Sequence, residues 1–265
     1  IEYNQKFGLE WWSSLFLKIN IHQPTIIIHT ASPRNLSSWF LIFFSKFKKI
    51  KLIGWSKINS DNKTGSFLIN KIKYIFYNNF KILIVYGNKS ILELNYLKVK
   101  KPKIIVAHNT IDTNFRFQKK SFIKKNKEKI FKKFSLDHGT QIFVCIGRMI
   151  DEKKQINIIN AWNLAEIDKQ KSKLFFIGSG PCLNKIKKMK KTNDNSICFV
   201  GNVPIGFDYI WLEIANFSVF GGALGLACQQ SFLMKSLVIA PFEDGVDSEF
   251  LENKINSILY NKDDV

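Results

Sequence analysis

The run Ser218-Val-Phe-Gly-Gly-Ala-Leu-Gly-Leu-Ala-Cys-Gln-Gln-Ser-Phe-Leu-Met-Lys-Ser-Leu-Val-Ile-Ala240 sets the architecture of the chain. It reads as a short apolar strand, a glycine turn, a helix and a second apolar strand. Gly221, Gly222 and Gly225 fall where the strand passes into the helix. A helix starting there aims free N–H groups and the positive end of its dipole at whatever lies beyond the strand. Such a terminus takes phosphate, and glycine lets a diphosphate approach the backbone closely. The same pattern also describes a crossover that holds no ligand. The stretch alone leaves both readings open.

Upstream, the same alternation repeats. Residues 141–146 form an apolar strand ended by Gly147, and a helix is expected over 154–166. Residues 173–177 are a strand, followed by Gly178-Ser-Gly-Pro181 and a lysine-rich helix to Lys191. A strand at 197–200 ends in Gly201, a short helix covers 209–215, and a last short strand covers 257–260. In the first half, strands are expected at 25–29, 50–55, 81–86 and 103–107. Helices are expected at 10–19, 35–47, 67–77 and 89–97, with a polar loop at 59–63. Continuous apolar strands separated by ordinary helices predict parallel sheets covered on both faces. Two such series predict an α/β chain of two Rossmann-like domains, 1–117 and 118–265. Ligands of open α/β sheets bind beyond the carboxyl ends of strands, where the glycine turns lie.

Charge narrows the partners. The formal net charge is +19, from 40 Lys and Arg against 21 Asp and Glu. This favours nucleic acid, an anionic lipid surface or a phosphorylated substrate, although a solvated lysine-rich surface produces the same number. No RNP, zinc-finger or helix-turn-helix spacing is visible, so no nucleic acid is expected. Lys119, Lys120, Lys124, Lys125, Lys127, Lys129, Lys132 and Lys133 alternate with Phe122, Ile123, Ile130, Phe131 and Phe134. They predict a basic amphipathic helix, lying either on an anionic membrane or, as a linker, against the next domain. Cys145, Cys182, Cys198 and Cys228 form no C-x-x-C pair and no ligand spacing with the four histidines, so free thiols and no metal are expected. The window Trp39-Phe-Leu-Ile-Phe-Phe44 is too short to span a bilayer. Beginning at Ile1 and ending in a polar run at Val265, the sequence is expected to be truncated at both ends.

Arg148 and Lys153 follow the strand at 141–146. Two fixed cations in a crevice bind a diphosphate and stabilise charge developing on a phosphate leaving group. The order of pieces around them resembles the retaining glycosyltransferases of family 4. Ile146-Gly-Arg148 with Glu152-Lys153 is similar to that family's G-R-x-x-x-E-K stretch. Phe176-Ile-Gly-Ser-Gly-Pro181 resembles its G-x-G-P turn, and Phe199-Val-Gly-Asn-Val203 its next strand and turn. Phe220-Gly-Gly-Ala-Leu-Gly-Leu226 and Leu237-Val-Ile-Ala240 resemble the donor loop and following strand, and Val106-Ala-His-Asn-Thr-Ile-Asp112 the end of the first domain.

The resemblance implies the GT-B fold, two Rossmann-like domains facing a cleft, with the acceptor in the first domain and the donor in the second. It implies transfer of a hexose from a nucleotide-diphosphate sugar to a lipid-linked or polysaccharide acceptor in cell-surface glycan synthesis. No cofactor or metal is implied; Arg148 and Lys153 would act on the diphosphate. Donor contacts would come from Gly147, Gly178, Val203, Gly222, Ala223, Leu224, Gly225, Leu226 and Gln230. His29, His108 and Asn109 are the acceptor-side candidates, although a histidine at a strand end also serves as a structural hydrogen-bonder. The expected location is cytoplasmic, peripheral on the inner membrane face. The sequence also departs from the family. Its E-x7-E pair falls at Gly222 and Gln230, so both carboxylates are absent, although the Gln230 amide can still bond a ribose hydroxyl. Lys235 and Leu237 replace a usual glycine and proline, and no acceptor-side histidine appears near Trp55-Ser56-Lys57. The alternative is therefore a catalytically impaired binding protein of the same fold.

Overall fold

The structure, a computed structural model, describes every residue except 1, 2, 7, 59–65, 115–118, 193, 243–247 and 262–265. The loop expected at 59–63 and the domain boundary expected at 117/118 lie outside the described residues. The chain divides into two compact units, residues 1–109 and 110–265.

The first unit opens with a departure from expectation. The helix expected over 10–19 is instead the second strand of a hairpin followed by a helix. Strands β1 (Tyr3–Lys6) and β2 (Leu9–Trp12) pair antiparallel, and α1 covers only Leu15–His22. Ser14 stands in the left-handed region at φ 57°, which separates the two elements. The Trp12 N–H donates to Ser37 Oγ at 2.8 Å. Trp12, Leu15 and Ile19 all reach the first core, so helical spacing was satisfied by a strand and a helix in succession. Next come β3 (Ile26–Thr30), α2 (Leu36–Phe47), β4 (Lys51–Ser56), α3 (Phe67–Tyr77), β5 (Ile82–Val85), α4 (Asn88–Tyr96) and β6 (Lys103–Val106). The Asn35 side chain caps α2 by accepting the Ser38 N–H at 3.2 Å.

The four strands β3-β4-β5-β6 pair in chain order and in parallel. Right-handed crossovers that all advance in one direction place their helices on one face. The burial pattern agrees. His29, Leu52, Gly54, Leu83 and Val85 are buried, while Ile26 is 50%, Ile28 56% and Trp55 47% exposed on the opposite side of the pleat. The expectation of a sheet covered on both faces therefore fails here among the described residues.

In the second unit it holds. Helix α5 (Lys120–Lys133) buries Ile123 and Ile130 in the core, with Phe122, Phe131 and Phe134 packed against it. Its apolar stripe is thus occupied by the unit itself, as the linker reading requires, and its lysines lie mostly exposed. The elements that follow are β7 (Gln141–Ile146), α6 (Gln155–Leu164), β8 (Ser172–Ile177), α7 (Leu183–Lys188), β9 (Ile197–Gly201) and α8 (Phe207–Ile214). The last are β10 (Phe217–Val219), α9 (Leu226–Leu233), β11 (Leu237–Pro241) and β12 (Ser257–Tyr260). The six strands run parallel in the order β12-β11-β10-β7-β8-β9. Alternation along β8 shows both faces at work. Phe175 and Ile177 join the core that includes α5 and α8, while Leu174 and Phe176 join the one that includes Ile158, Ile159 and Ile186 of α6 and α7. Each fully buried Phe there contributes roughly 1.5–3 kcal/mol.

Candidate functional site

The chain of the second unit moves outward from β7 through β8 to β9, then returns to place β10 on the other side of β7. That reversal opens a crevice at the carboxyl ends of β7 and β10, the place where open α/β sheets bind ligands. The segments leaving those two strands are Gly147 to Lys153 and Phe220 to Gly225. Of the residues expected from sequence to contact a donor, Gly147, Arg148, Lys153 and 222–225 leave these two strands, whereas Gly178 follows β8 and Val203 follows β9.

Main-chain bonds join neighbouring strand ends into a rigid rim. The Gly147 N–H donates to the Ile177 carbonyl at 3.0 Å, Met149 N–H to Ser179 at 2.9 Å, and Gly178 N–H to Gly201 at 2.8 Å. Gly178 has φ +119°, and a Cβ there would run into the Gly147 carbonyl oxygen. The glycine of that turn is thus a steric requirement of backbone crossing backbone. Cys145, just behind the rim, has its thiol pushed up to about 12 by burial, so it is no nucleophile.

Lys153 ends a 3₁₀ turn, Asp151–Lys153, beyond β7. Its Nζ donates to the carbonyl of Ala223, and to that of Leu224 at 2.8 Å. The same Nζ stands 3.4 Å from the position of a Cβ on Gly225, the residue before α9. An ammonium is therefore fixed beside the positive end of a helix. Two like fields at one point favour an anion between them. Arg148 is exposed, and its guanidinium has no hydrogen bond or ion pair among the described residues. Its carbonyl is held by Gln155 Nε2 at 2.9 Å, which pins the turn and leaves the side chain unengaged.

The glycine loop packs directly on this turn. The Ala223 N–H donates to the Glu152 carbonyl at 2.9 Å. A Cβ on Gly222 would strike that same carbonyl oxygen, and one on Gly221 would strike the carbonyl of Lys154. The carboxylate absent at 222 is accordingly excluded by shape: no side chain fits. Of the N–H groups expected to face a donor at this helix start, one is already engaged within the loop. Ala223 spends its N–H on Glu152, Ala223 and Leu224 turn their carbonyls to Lys153, and the Leu224 side chain is buried in the core. The first turn of α9, from Leu226 onward, adds the free N–H donors of a helix start.

Gln230, one turn into α9, donates from Nε2 to Asp208 Oδ2 on α8 at 2.9 Å. Sequence reading missed Asp208; its only signal was an acid in the first turn of a helix. Val203 sits in the turn between β9 and α8 with its side chain against the core, while Ile205 of the same turn is fully exposed.

The acceptor-side candidates do not come together. His29 is buried in the first unit, on the helix-covered face of β3. Its Nδ1 bonds the Thr30 carbonyl at 2.9 Å, and its ring stands edge-on to Trp12 at 6.2 Å. Burial lowers its pKa from 6.5 to about 4, so it is a neutral core residue. The structural reading of that histidine is the one realised. His108 is exposed in the loop after β6, and Asn109 is half-buried beside it. A groove of about 940 Å³ does lie at the carboxyl ends of β3, β4 and β5, lined by Arg34, Trp55, Lys57, Lys73 and Tyr86 among others. Its residues come from separate loops and carry no shared sequence spacing. Among the described residues no group of three or more His, Cys, Asp or Glu could hold a metal ion.

Comparison with known proteins supplies a context for this geometry. Residues 126–232 match the family described as Glycosyl transferases group 1. No curated protein matches the sequence. Among solved structures, HepE of Anabaena in complex with UDP and glucose superimposes with a TM-score of 0.71 at 15% identity, covering 97% of this chain and 71% of that one. A glycosyltransferase of Rickettsia africae gives 0.74 at 18% identity, covering 99% and 70%. The lipopolysaccharide outer core galactosyltransferase WaaB gives 0.66 at 11% identity, covering 94% and 65%. The fold is therefore GT-B, with two parallel-sheet α/β domains.

Proposed function

We propose that this protein is a glycosyltransferase that moves a hexose from a nucleotide-diphosphate sugar to a lipid-linked or polysaccharide acceptor, with retention of configuration. One observation carries the reading: the Lys153 ammonium held on the 223 and 224 carbonyls beside the first turn of α9, at the switch point of the sheet. A diphosphate there meets Lys153, the guanidinium of Arg148 and the helix N-terminus. As the sugar–phosphate bond breaks, negative charge grows on the leaving diphosphate, and these preorganised groups stabilise it. The proposal thereby assigns charge neutralisation to side chains rather than to a metal. The matched family segment spans this site, and HepE is described as a complex with UDP and glucose.

The acceptor is assigned to the first unit. Trp55 and Tyr86 offer aromatic faces to a sugar, and Arg34 and Lys57 suit a phosphate on a lipid-linked acceptor, while Lys73 is paired with the buried Glu93 at 3.5 Å. Peripheral attachment to the cytoplasmic face of an anionic membrane accords with the net charge of +19. Among the described residues no helix is long and apolar enough to cross a membrane.

The test is a thermal-shift and calorimetric screen with UDP, GDP and CMP sugars. Arg148→Ala and Lys153→Ala are each expected to weaken binding by about tenfold or more, the worth of one hydrogen bond to a charged group. Unchanged affinity in both variants sinks the assignment. A second reading, a binding protein without turnover, is favoured by Gly222, where no carboxylate can be placed. Donor binding with neither hydrolysis nor transfer, across several acceptors, would select it.

A further inference from the structure

Helix α2 is apolar on the side that the first unit leaves open. Leu36, Phe40, Phe43 and Phe47 follow helical spacing, which aligns them along one face. All four are exposed, Phe43 by 62% and Phe47 by 70%. The opposite face takes Leu41 and Ile42 into the core together with Ser37 and Ser38. Ser37 Oγ accepts the Trp12 N–H, and Ser38 Oγ donates to the Thr30 carbonyl. A surface helix usually has the reverse order, with its polar residues outward, because apolar area left in water is unfavourable.

The apolar face extends over the neighbouring helices. Phe16 of α1 stands 5.6 Å from Phe40 and 5.5 Å from Phe44 between ring centroids. Helix α3 lies alongside α2: Trp39 meets Phe76 at 5.0 Å, and Lys46 Nζ donates to Asn79, just past α3, at 2.7 Å. Leu68, Ile72 and Ile75 align along α3 and are exposed, and Phe67 at its start is 81% exposed. Ile69 and Ile72 also line the groove at the ends of β3, β4 and β5, so apolar surface reaches the edge of that groove. Soluble monomers rarely leave so much contiguous apolar surface without a partner.

Charge selects the partner. No Asp or Glu occurs in residues 11–60, and none in α3. Lys18, Lys46, Lys48, Lys49 and Lys71, on or next to the same helices, are all exposed. Two copies of this face would set lysine against lysine with no acid between them, which disfavours self-association. Anionic lipid supplies the missing negative charge. Phenyl rings enter the boundary between headgroups and acyl chains, and lysine stems run beside them with their ammonium groups at the phosphates.

We propose that the exposed faces of α1, α2 and α3 form the surface by which this protein lies on an anionic lipid bilayer. The inference rests on the peripheral attachment proposed above and assigns it to particular residues. A lipid-linked acceptor in the groove would pass its chain across Ile69 and Ile72 into the same bilayer.

The experiment is sedimentation of the full chain with vesicles, without nucleotide or acceptor. One set is an equal mixture of phosphatidylglycerol and phosphatidylcholine, and the other is phosphatidylcholine alone. Wild-type protein is expected to bind the mixed vesicles and to bind the neutral ones about tenfold more weakly or less. Phe43→Ser/Phe47→Ser and Phe67→Ser/Leu68→Ser are each expected to lower partitioning about tenfold. Lys18→Gln/Lys48→Gln should lower it about tenfold on the mixed vesicles only. Leu164→Ser, an equally exposed apolar site in the second unit, should bind as wild type. All these side chains are exposed, so urea unfolding of each variant should match wild type. A wild type that stays in the supernatant overturns this surface and the peripheral attachment together and spares the donor site. Undiminished binding in all three double variants, or an equal loss in Leu164→Ser, overturns the surface alone. A wild-type dimer in ultracentrifugation that Phe43→Ser/Phe47→Ser dissolves gives the face to a second copy and overturns the proposal.

Discussion

At the scale of single residues, environment decides role. His29 ends a strand, where sequence left a ligand-facing and a structural role both open. Its ring lies against Trp12 and Phe80, and burial lowers its pKa from 6.5 to about 4. The unfolded chain therefore binds a proton between those values that the folded chain refuses. Stability attributable to this residue is complete above pH 6.5 and falls as pH drops toward 4, by up to about 3 kcal/mol. Urea titrations at pH 7 and pH 4.5 should show the loss, and His29→Gln should remove most of it. Gly222 makes the converse point. A Cβ at that position would strike the Glu152 carbonyl, so Gly222→Ala is expected to cost about 1–3 kcal/mol by overpacking. Chemical denaturation measures it, and Gly222→Glu should rescue no activity.

At the scale of elements, α5 shows how one helix satisfies two sequence readings. Its lysine face and its apolar stripe suit a membrane surface as well as a packed linker. Ile123 and Ile130 are 6% and 9% exposed, so the stripe is already occupied by the second unit. Ile123→Ala and Ile130→Ala are expected to destabilise by roughly 2–5 kcal/mol each. Exchanging Lys124, Lys125 or Lys129 for Gln should stay within about 0.5 kcal/mol. Equilibrium unfolding separates the two classes, and a small effect from both isoleucines would restore the membrane reading. The loops after β7 and β10 behave as one element despite their separation in sequence, since Lys153 and the Ala223 N–H tie them together.

At the scale of the molecule, the chain forms two units with separate cores. The candidate donor groups, Arg148, Lys153 and Gln230, all lie in the second unit. A nucleoside diphosphate at a hundred times its dissociation constant should stabilise that unit by about 2.7 kcal/mol. Hydrogen exchange should accordingly slow along the 147–153, 203–208 and 220–230 segments, with the strands of the first unit unchanged. The first unit's sheet carries helices on one face only among the described residues, because its strands advance in a single direction. The second unit's sheet reverses at β7, which covers both faces and creates the crevice in one move.

Two parallel α/β series, the position of nearly every strand, and the glycine turns with Arg148 and Lys153 beyond them were legible in the order of residues alone. Apolar runs and glycines at strand ends are local signals, and a parallel sheet needs little else. The same order could not separate the β2 strand from α1, because Trp12, Leu15 and Ile19 meet one core in either form. It could not separate a buried from an accessible His29, nor pair Gln230 with Asp208, because those facts depend on which elements become neighbours. The folded chain was needed to show that the carboxylate missing at 222 has no room, and that the Gln230 amide is aimed by an acid 22 residues earlier in the chain. Close approach of backbones and the polarity of a hydrogen bond are properties of distance, and sequence carries no distances across a fold.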